Sequence, residues 1–301
     1  MIGILGAGLY FTAGIAPAQT DPPAPPYVKA ADIIRYGNPQ QLAMQSDVVL
    51  IMDDREGVML YGRRVDRPRP IASLTKLMTA LVILEARLPL NEPIEITRAD
   101  RDRLRGTGSL LPYGAVYTGY DLLHAALGAS DNRAASAIAR KFPGGTEALV
   151  AAMNEKARAF GMTQTRFADS SGLSSANVAS ARDLVKLAAA VREQPLIQTI
   201  TTTGTFSITN TKNGHVTIFH NTNRLVRGGR WDIGLSKTGY TADAGNCLLM
   251  QTTIANRPVT IVLLDSWGRL SKYGDAERIR DWLIRAERRV PGLTAASAAQ
   301  N

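Results

Sequence analysis

The sequence predicts an α+β fold, an antiparallel sheet flanked by helices with a helical lobe inserted between its strands. Three observations carry this. Short apolar runs bounded by turn residues stand near the start (Val48 to Met52, Val58 to Tyr61) and again near the end (Cys247 to Ile254, Val259 to Leu264). Between them, from Ser73 to about Arg192, most apolar residues recur at helical spacing. An amphipathic stretch, Asp275 to Glu287, then closes the pattern. Strands grouped at the two ends, with helices grouped between them, point to one α+β domain rather than alternating α/β units.

Each element has a local reason. Asp54-Arg55-Glu56-Gly57 is a turn, so the first two strands form a hairpin. Pro68 and Pro70 interrupt the chain before Leu77, Ala80, Leu81 and Leu84 set a helical stripe that Pro89 ends. Tyr120 to Leu127 and Arg133 to Lys141 read as helices, the second stopped by Pro143-Gly144-Gly145. Thr146 to Phe160 is a third, with Gly161 as the glycine just past its end. Ser180 and Asp183 have the spacing of a capping box variant opening a fourth helix. After Thr201 the pattern turns strand-like, with turns at Asn213-Gly214 and Ala244-Gly245. Asn256-Arg257 joins the last two strands as a hairpin.

The ends read differently from the domain between 46 and 290. Residues 1–18 have the form of a signal peptide, with a small, apolar run and an Ala16-Pro17-Ala18 cleavage pattern, so export to the periplasm is expected. No Lys or Arg precedes that run. Residues 19–45 follow as a Pro-rich linker and N-terminal segment, and 291–301 as a disordered tail.

Composition narrows the function. The chain has 301 residues, 45% of them hydrophobic and 20% charged, which is ordinary for a globular protein. Its net charge of +9 suits an anionic environment, but no basic stripe is interleaved with aromatics, so nucleic acid is not the expected partner. No pair among His124, His215 and His220 has metal-ligand spacing, and the one cysteine, Cys247, lies in an apolar run, so neither a metal nor another cofactor is expected. Cys247 reads as a buried structural thiol and His124 as a packing or hydrogen-bonding residue.

Three motifs carry chemistry. The first is Ser73-Leu74-Thr75-Lys76. A serine hydroxyl is a weak nucleophile until a base takes its proton. At i and i+3 on a helix, Ser73 and Lys76 share a face. Lys76 can act as that base only if burial or a nearby cation lowers its pKa toward neutrality. Alone the pattern is weak, since a chance SxxK arises on the order of once per few hundred residues. The second motif, Ser130-Asp131-Asn132, falls between two helices, where a hydroxyl could relay a proton to a leaving group and an amide could hold a substrate amide. Ser175-Ala176-Asn177 has the same form but lies in a Ser/Gly-rich loop, and reads as a decoy. The third is Lys237-Thr238-Gly239. Its cation and hydroxyl can bind a carboxylate, and its glycine allows a strand edge to approach a substrate closely.

Taken in order, these motifs resemble those shared by penicillin-binding proteins and class A β-lactamases. The segments PIASLTKLMTA, SDNRAA and LSKTGYTADAGNCL are similar to the low-molecular-mass penicillin-binding proteins, serine-type D-Ala-D-Ala peptidases, over about Gln45 to Trp282. LPLNEPIEIT and NTNRLV look most like the D-alanyl-D-alanine endopeptidase branch, the penicillin-binding protein 7 type. The resemblance implies a β-lactamase/transpeptidase-like fold. It implies Ser73 as the acylated nucleophile, Lys76 as proton acceptor and Ser130 as proton relay to the departing amine. It further implies Asn132, Lys237, Thr238 and Gly239 as substrate-binding, with the backbone N–H groups of Ser73 and Tyr240 as the oxyanion hole. The implied partners are peptidoglycan stem peptides and, as covalent inhibitors, β-lactams, with peripheral or no membrane association. A β-lactamase is the nearest alternative. It needs a deacylating glutamate, and the loop Arg166 to Ser180 contains Asp169 but no glutamate. The other alternative is a wall-binding module that is acylated without turnover.

Overall fold

A computed structural model describes residues 27–291. The expected signal peptide, the first part of the linker and the end of the tail lie outside the described residues. The chain opens with α1 (Ala30–Gly37), then the hairpin β1 (Ser46–Asp53) and β2 (Val58–Arg63). A short strand β3 (Arg69–Pro70) and a 3-10 turn (Ala72–Leu74) lead into α2 (Thr75–Glu85). Strands β4 (Pro93–Glu95) and β5 (Val116–Thr118) pair with each other before α3 (Gly119–Gly128), α4 (Asn132–Arg140) and α5 (Gly145–Ala159). Strand β6 (Val178–Ala179), which pairs with β3, precedes α6 (Ala181–Arg192) and α7 (Pro195–Thr202). A separate hairpin, β7 (Thr205–Thr209) and β8 (Val216–His220), is followed by α8 (Arg224–Gly228). Strands β9 (Asp232–Thr241), β10 (Gly245–Ile254) and β11 (Arg257–Ser266) then run into α9 (Ser271–Arg289).

The main sheet has the order β2-β1-β11-β10-β9, and all its pairings are antiparallel. It is buried on both faces. Val48, Leu50, Leu249, Val262 and Leu264 face the helical lobe. Val49, Ile51, Met250, Ile261 and Leu263 face α1 and α9. This two-sided burial is why these strands read as continuous apolar runs rather than alternating ones. The last hairpin turns on Ala255 and Asn256, both with positive φ (49° and 59°), as a type I′ loop does. Arg257 is therefore the first residue of β11, a shift of one residue from the expected Asn256-Arg257 turn.

Most of the expected helices form, with three differences. The apolar stripe of α9, Ala276, Ile279, Leu283 and Ala286, packs against α1, a helix of 8 residues that its short pattern hid within the N-terminal segment. Gly37 lets the two helices touch: a Cβ there would lie 2.9 Å from that of Ala286. Helices α7 and α8 also form beyond those that the sequence predicts. The capping box at α6 is half formed. Ser180 accepts from the Asp183 N–H, but the Asp183 carboxylate turns to Gln164 N and Thr165 Oγ1. Past α5, Gly161 N bonds Arg158 O and Met162 N bonds Ala157 O, a Schellman ending in line with the expected glycine. Among the described residues no helix is long and apolar enough to cross a membrane.

Candidate active site

The three motifs converge from three elements. Ser73 lies in the 3-10 turn before α2 rather than in the α-helix itself, while Lys76 is in the first turn of α2. Ser130 is the hinge between α3 and α4, and Asn132 opens α4. Lys237, Thr238, Gly239 and Tyr240 lie on β9, the edge strand of the sheet. An open cleft of about 1450 Å³ is lined by Ser73, Ser130, Asn132, Thr238, Gly239 and Tyr240. The two motif lysines lie beneath it, each only 1% exposed.

Backbone strain and close approach hold these residues. Ala72 and Ser130 have positive φ, 46° and 60°, which costs a non-glycine residue on the order of 1–3 kcal/mol. The Ser73 turn is clamped on two sides. A Cβ on Gly239 would lie 2.9 Å from Ile71 O and 3.0 Å from Ser73 N. The glycine of the third motif thus makes room for the Ser73 turn. A Cβ on Gly172 would overlap Ala72 O at 1.9 Å, so the loop after α5 presses on the same turn.

Lys76 Nζ lies 2.9 Å from Ser73 Oγ, 2.6 Å from Asn132 Oδ1 and 2.7 Å from Ser171 O. Burial pushes its pKa down to about 7, although the carboxylates of Asp131, Asp169 and Asp102 pull the other way. Near neutral pH a substantial fraction is therefore the free amine, which is what a base requires. The repulsion anticipated from a second cation falls on Lys237. Burial first, then Lys76 and Lys272, hold that ammonium well below the ordinary lysine range. Lys237 Nζ donates to Ser130 Oγ at 2.9 Å and to Thr238 O at 3.0 Å.

Several residues that the sequence did not mark complete the site. Asp169 accepts from Ser171 N, Gly172 N, Ser174 N and Asn177 Nδ2 at 2.6–2.8 Å. Those bonds shape the loop that presents Ser171 O to Lys76. Asn177, the decoy asparagine, is buried and serves this loop. Thr222 Oγ1 accepts from Thr238 Oγ1 at 2.6 Å. Its neighbours fix it: Asn221 Nδ2 donates to Thr201 O and Thr203 O, and Asn223 Nδ2 donates to Ser236 Oγ on β9. The Asp-Ser-Ser-Gly string is a legible Asx-turn signature. Thr222 and Thr107, which meets Asn132, carry no local signal. Cys247 is buried with its thiol pushed up to about 12 by burial. His124 is buried and stacks on Phe206 with ring centroids 3.8 Å apart. Both match their expected packing roles.

Comparison with known proteins agrees with this geometry. The family model for D-alanyl-D-alanine carboxypeptidase, peptidase S11, matches residues 36–267. A D-alanyl-D-alanine endopeptidase of Pseudomonas aeruginosa is 39% identical over 97% of this chain and 90% of its own length. One of Escherichia coli is 41% identical over 81% of this chain and 78% of its own. Among solved structures, the Streptomyces K15 DD-transpeptidase superposes with a TM-score of 0.74 at 26% identity, covering 80% of this chain and 98% of that one. The expected transpeptidase-like fold is thus borne out, and the chain belongs to the D-alanyl-D-alanine carboxypeptidase family, peptidase S11.

Proposed function

We propose that this chain is an exported serine-type D-Ala-D-Ala endopeptidase that opens peptidoglycan cross-links and is acylated by β-lactams. The observation that carries the chemistry is the buried Lys76 amine 2.9 Å from Ser73 Oγ. In this reading Ser73 Oγ attacks the D-alanine carbonyl as its proton passes to Lys76 Nζ. The oxyanion forms against the backbone N–H groups of Ser73 and Tyr240, such a donor contributing about 3 kcal/mol. Collapse breaks the peptide C–N bond, and Ser130, hydrogen-bonded to Lys237, relays the proton taken up by Lys76 to the departing amine. Water then hydrolyses the Ser73 ester. Thr238 and Lys237 hold the carboxylate beside the scissile bond, and Asn132 borders the substrate amide.

The endopeptidase preference follows the named activity of the two relatives matched over most of their length. Residues 1–18 act as the signal peptide, 46–290 as the peptidase domain, and contact with the membrane is peripheral or absent. A β-lactamase reading is disfavoured by Asp169, the one carboxylate of the loop. Burial pushes its carboxyl up, but hydrogen bonds from Ser174, Ser171 and Gly172 outweigh this and hold it low. Both its oxygens are already committed, so it is a poor candidate to activate a deacylating water.

Digestion of purified muropeptides, monomeric and cross-linked, tests the proposal with wild type and Ser73→Ala. Wild type is expected to split the cross-linked dimer and Ser73→Ala to leave it intact. Release of only terminal D-alanine would contradict the endopeptidase reading.

A further inference from the structure

A neutral lysine amine has two N–H hydrogens and one lone pair. At Lys76 two oxygens, Asn132 Oδ1 and Ser171 O, accept the hydrogens. The lone pair is then free for the Ser73 hydroxyl. This holds only while Asn132 turns its oxygen, not its NH2, toward the amine. An inverted amide would place an N–H on the lone pair and compete with Ser73.

The orientation of Asn132 is settled by a loop outside the three motifs. Asp102 Oδ1 accepts from Leu104 N at 2.9 Å and Arg105 N at 3.0 Å. Its Oδ2 accepts from Thr107 N at 2.9 Å and Thr107 Oγ1 at 2.7 Å. A carboxylate can only accept, so the Thr107 hydroxyl proton is committed to Asp102. The Thr107 oxygen is left as an acceptor and takes Asn132 Nδ2 at 2.9 Å. That contact leaves Oδ1 for Lys76. The loop is anchored elsewhere too, by Arg105 Nε on Leu173 O at 2.6 Å and by an Arg105–Asp243 ion pair to the β9–β10 turn.

We propose that Thr107, held by Asp102, is a positioning residue for Lys76, fixing the Asn132 amide so that the lone pair of the base faces Ser73. The role rests on Ser73 being the acylated residue. Thr107 is exposed, so replacing it spares the core. The charged groups around Lys76 are Asp131 at the start of α4, Asp169 in the loop after α5, Asp102 itself and Lys237 on β9. Loss of the Oδ1 acceptor disfavours the ammonium form, so the acid limb of acylation moves to lower pH. Asp102→Asn also removes a negative charge and moves it the same way.

The test is the second-order rate of labelling by a fluorescent penicillin across a pH series. It compares wild type, Thr107→Val, Thr107→Ser, Asp102→Asn and Ser73→Ala. Thr107→Val and Asp102→Asn are expected to lower the plateau about tenfold, the scale of one lost hydrogen bond, and to shift the limb downward. Thr107→Ser keeps the hydroxyl and is expected to stay within about twofold of wild type. Wild-type rate and limb in Thr107→Val overturn the positioning role and leave the assignment of Ser73 standing. Equal losses in Thr107→Val and Thr107→Ser, with an unshifted limb, overturn it as well. Labelling that survives in Ser73→Ala overturns the parent reading and this one together.

Discussion

In the proposed mechanism, Lys76 sets the pH range in which Ser73 can react. Burial brings its pKa to about 7, so the amine gains a proton and loses its lone pair as pH falls below that value. Acylation by penicillin is therefore expected to fall about tenfold per pH unit on the acid side of neutrality and to level off above it. A stopped-flow pH profile checks this, and a flat profile down to the ordinary carboxylate range would contradict it. The residue types and order of the motif side chains were legible in the sequence, because Ser, Lys and Asn at those spacings have few other reasons to recur together. The partners that hold the buried Lys76 amine were not legible. The acceptors Asn132 Oδ1 and Ser171 O lie 56 and 95 residues away in the chain, and one of them is a backbone carbonyl.

The elements that position these side chains differ in how openly the sequence declares them. Helices α2 to α6 and strands β1, β2, β10 and β11 are marked by periodicity, apolar runs and turn residues. Helix α8 has only 5 residues, and its start depends on Asn223, whose side chain accepts from Leu225 N while also reaching Ser236. The loop of residues 169–177 has no regular structure, yet it bears directly on the Ser73 turn. Gly172 (φ +84°) is the contact point, and any side chain there meets Ala72 O. Gly172→Ala is expected to cost about 2–3 kcal/mol of stability and to slow acylation more than tenfold, since the loop must withdraw Ser171 O from Lys76. Thermal melts paired with penicillin labelling would show it. An unchanged melting temperature with an unchanged rate would contradict the account of this loop.

At the scale of the molecule, the sheet is a wall between two cores. The helical lobe supplies Ser73, Lys76, Ser130 and Asn132 from one side, and β9, the sheet edge, supplies Lys237 to Tyr240. The cleft forms where the two meet. The far core, between sheet, α1 and α9, stabilises the wall without touching the chemistry. There Arg257, fully buried, pairs with Asp53 and donates to Val28 O, tying the start of the described chain to the sheet. This α+β arrangement was readable from the grouping of strands and helices. The partnership of α1 with α9 was not, because it joins an 8-residue helix to one at the other end of the chain. In the proposed function, this arrangement makes Ser73 the acylated nucleophile, with a penicilloyl ester that lacks a deacylating base. Intact-protein mass spectrometry after mixing with benzylpenicillin, followed by peptide mapping, tests it most directly. A single adduct is expected on Ser73, one that persists after free drug is removed and is absent in Ser73→Ala. An adduct on another residue, or one that disappears promptly with turnover of the drug, would contradict it.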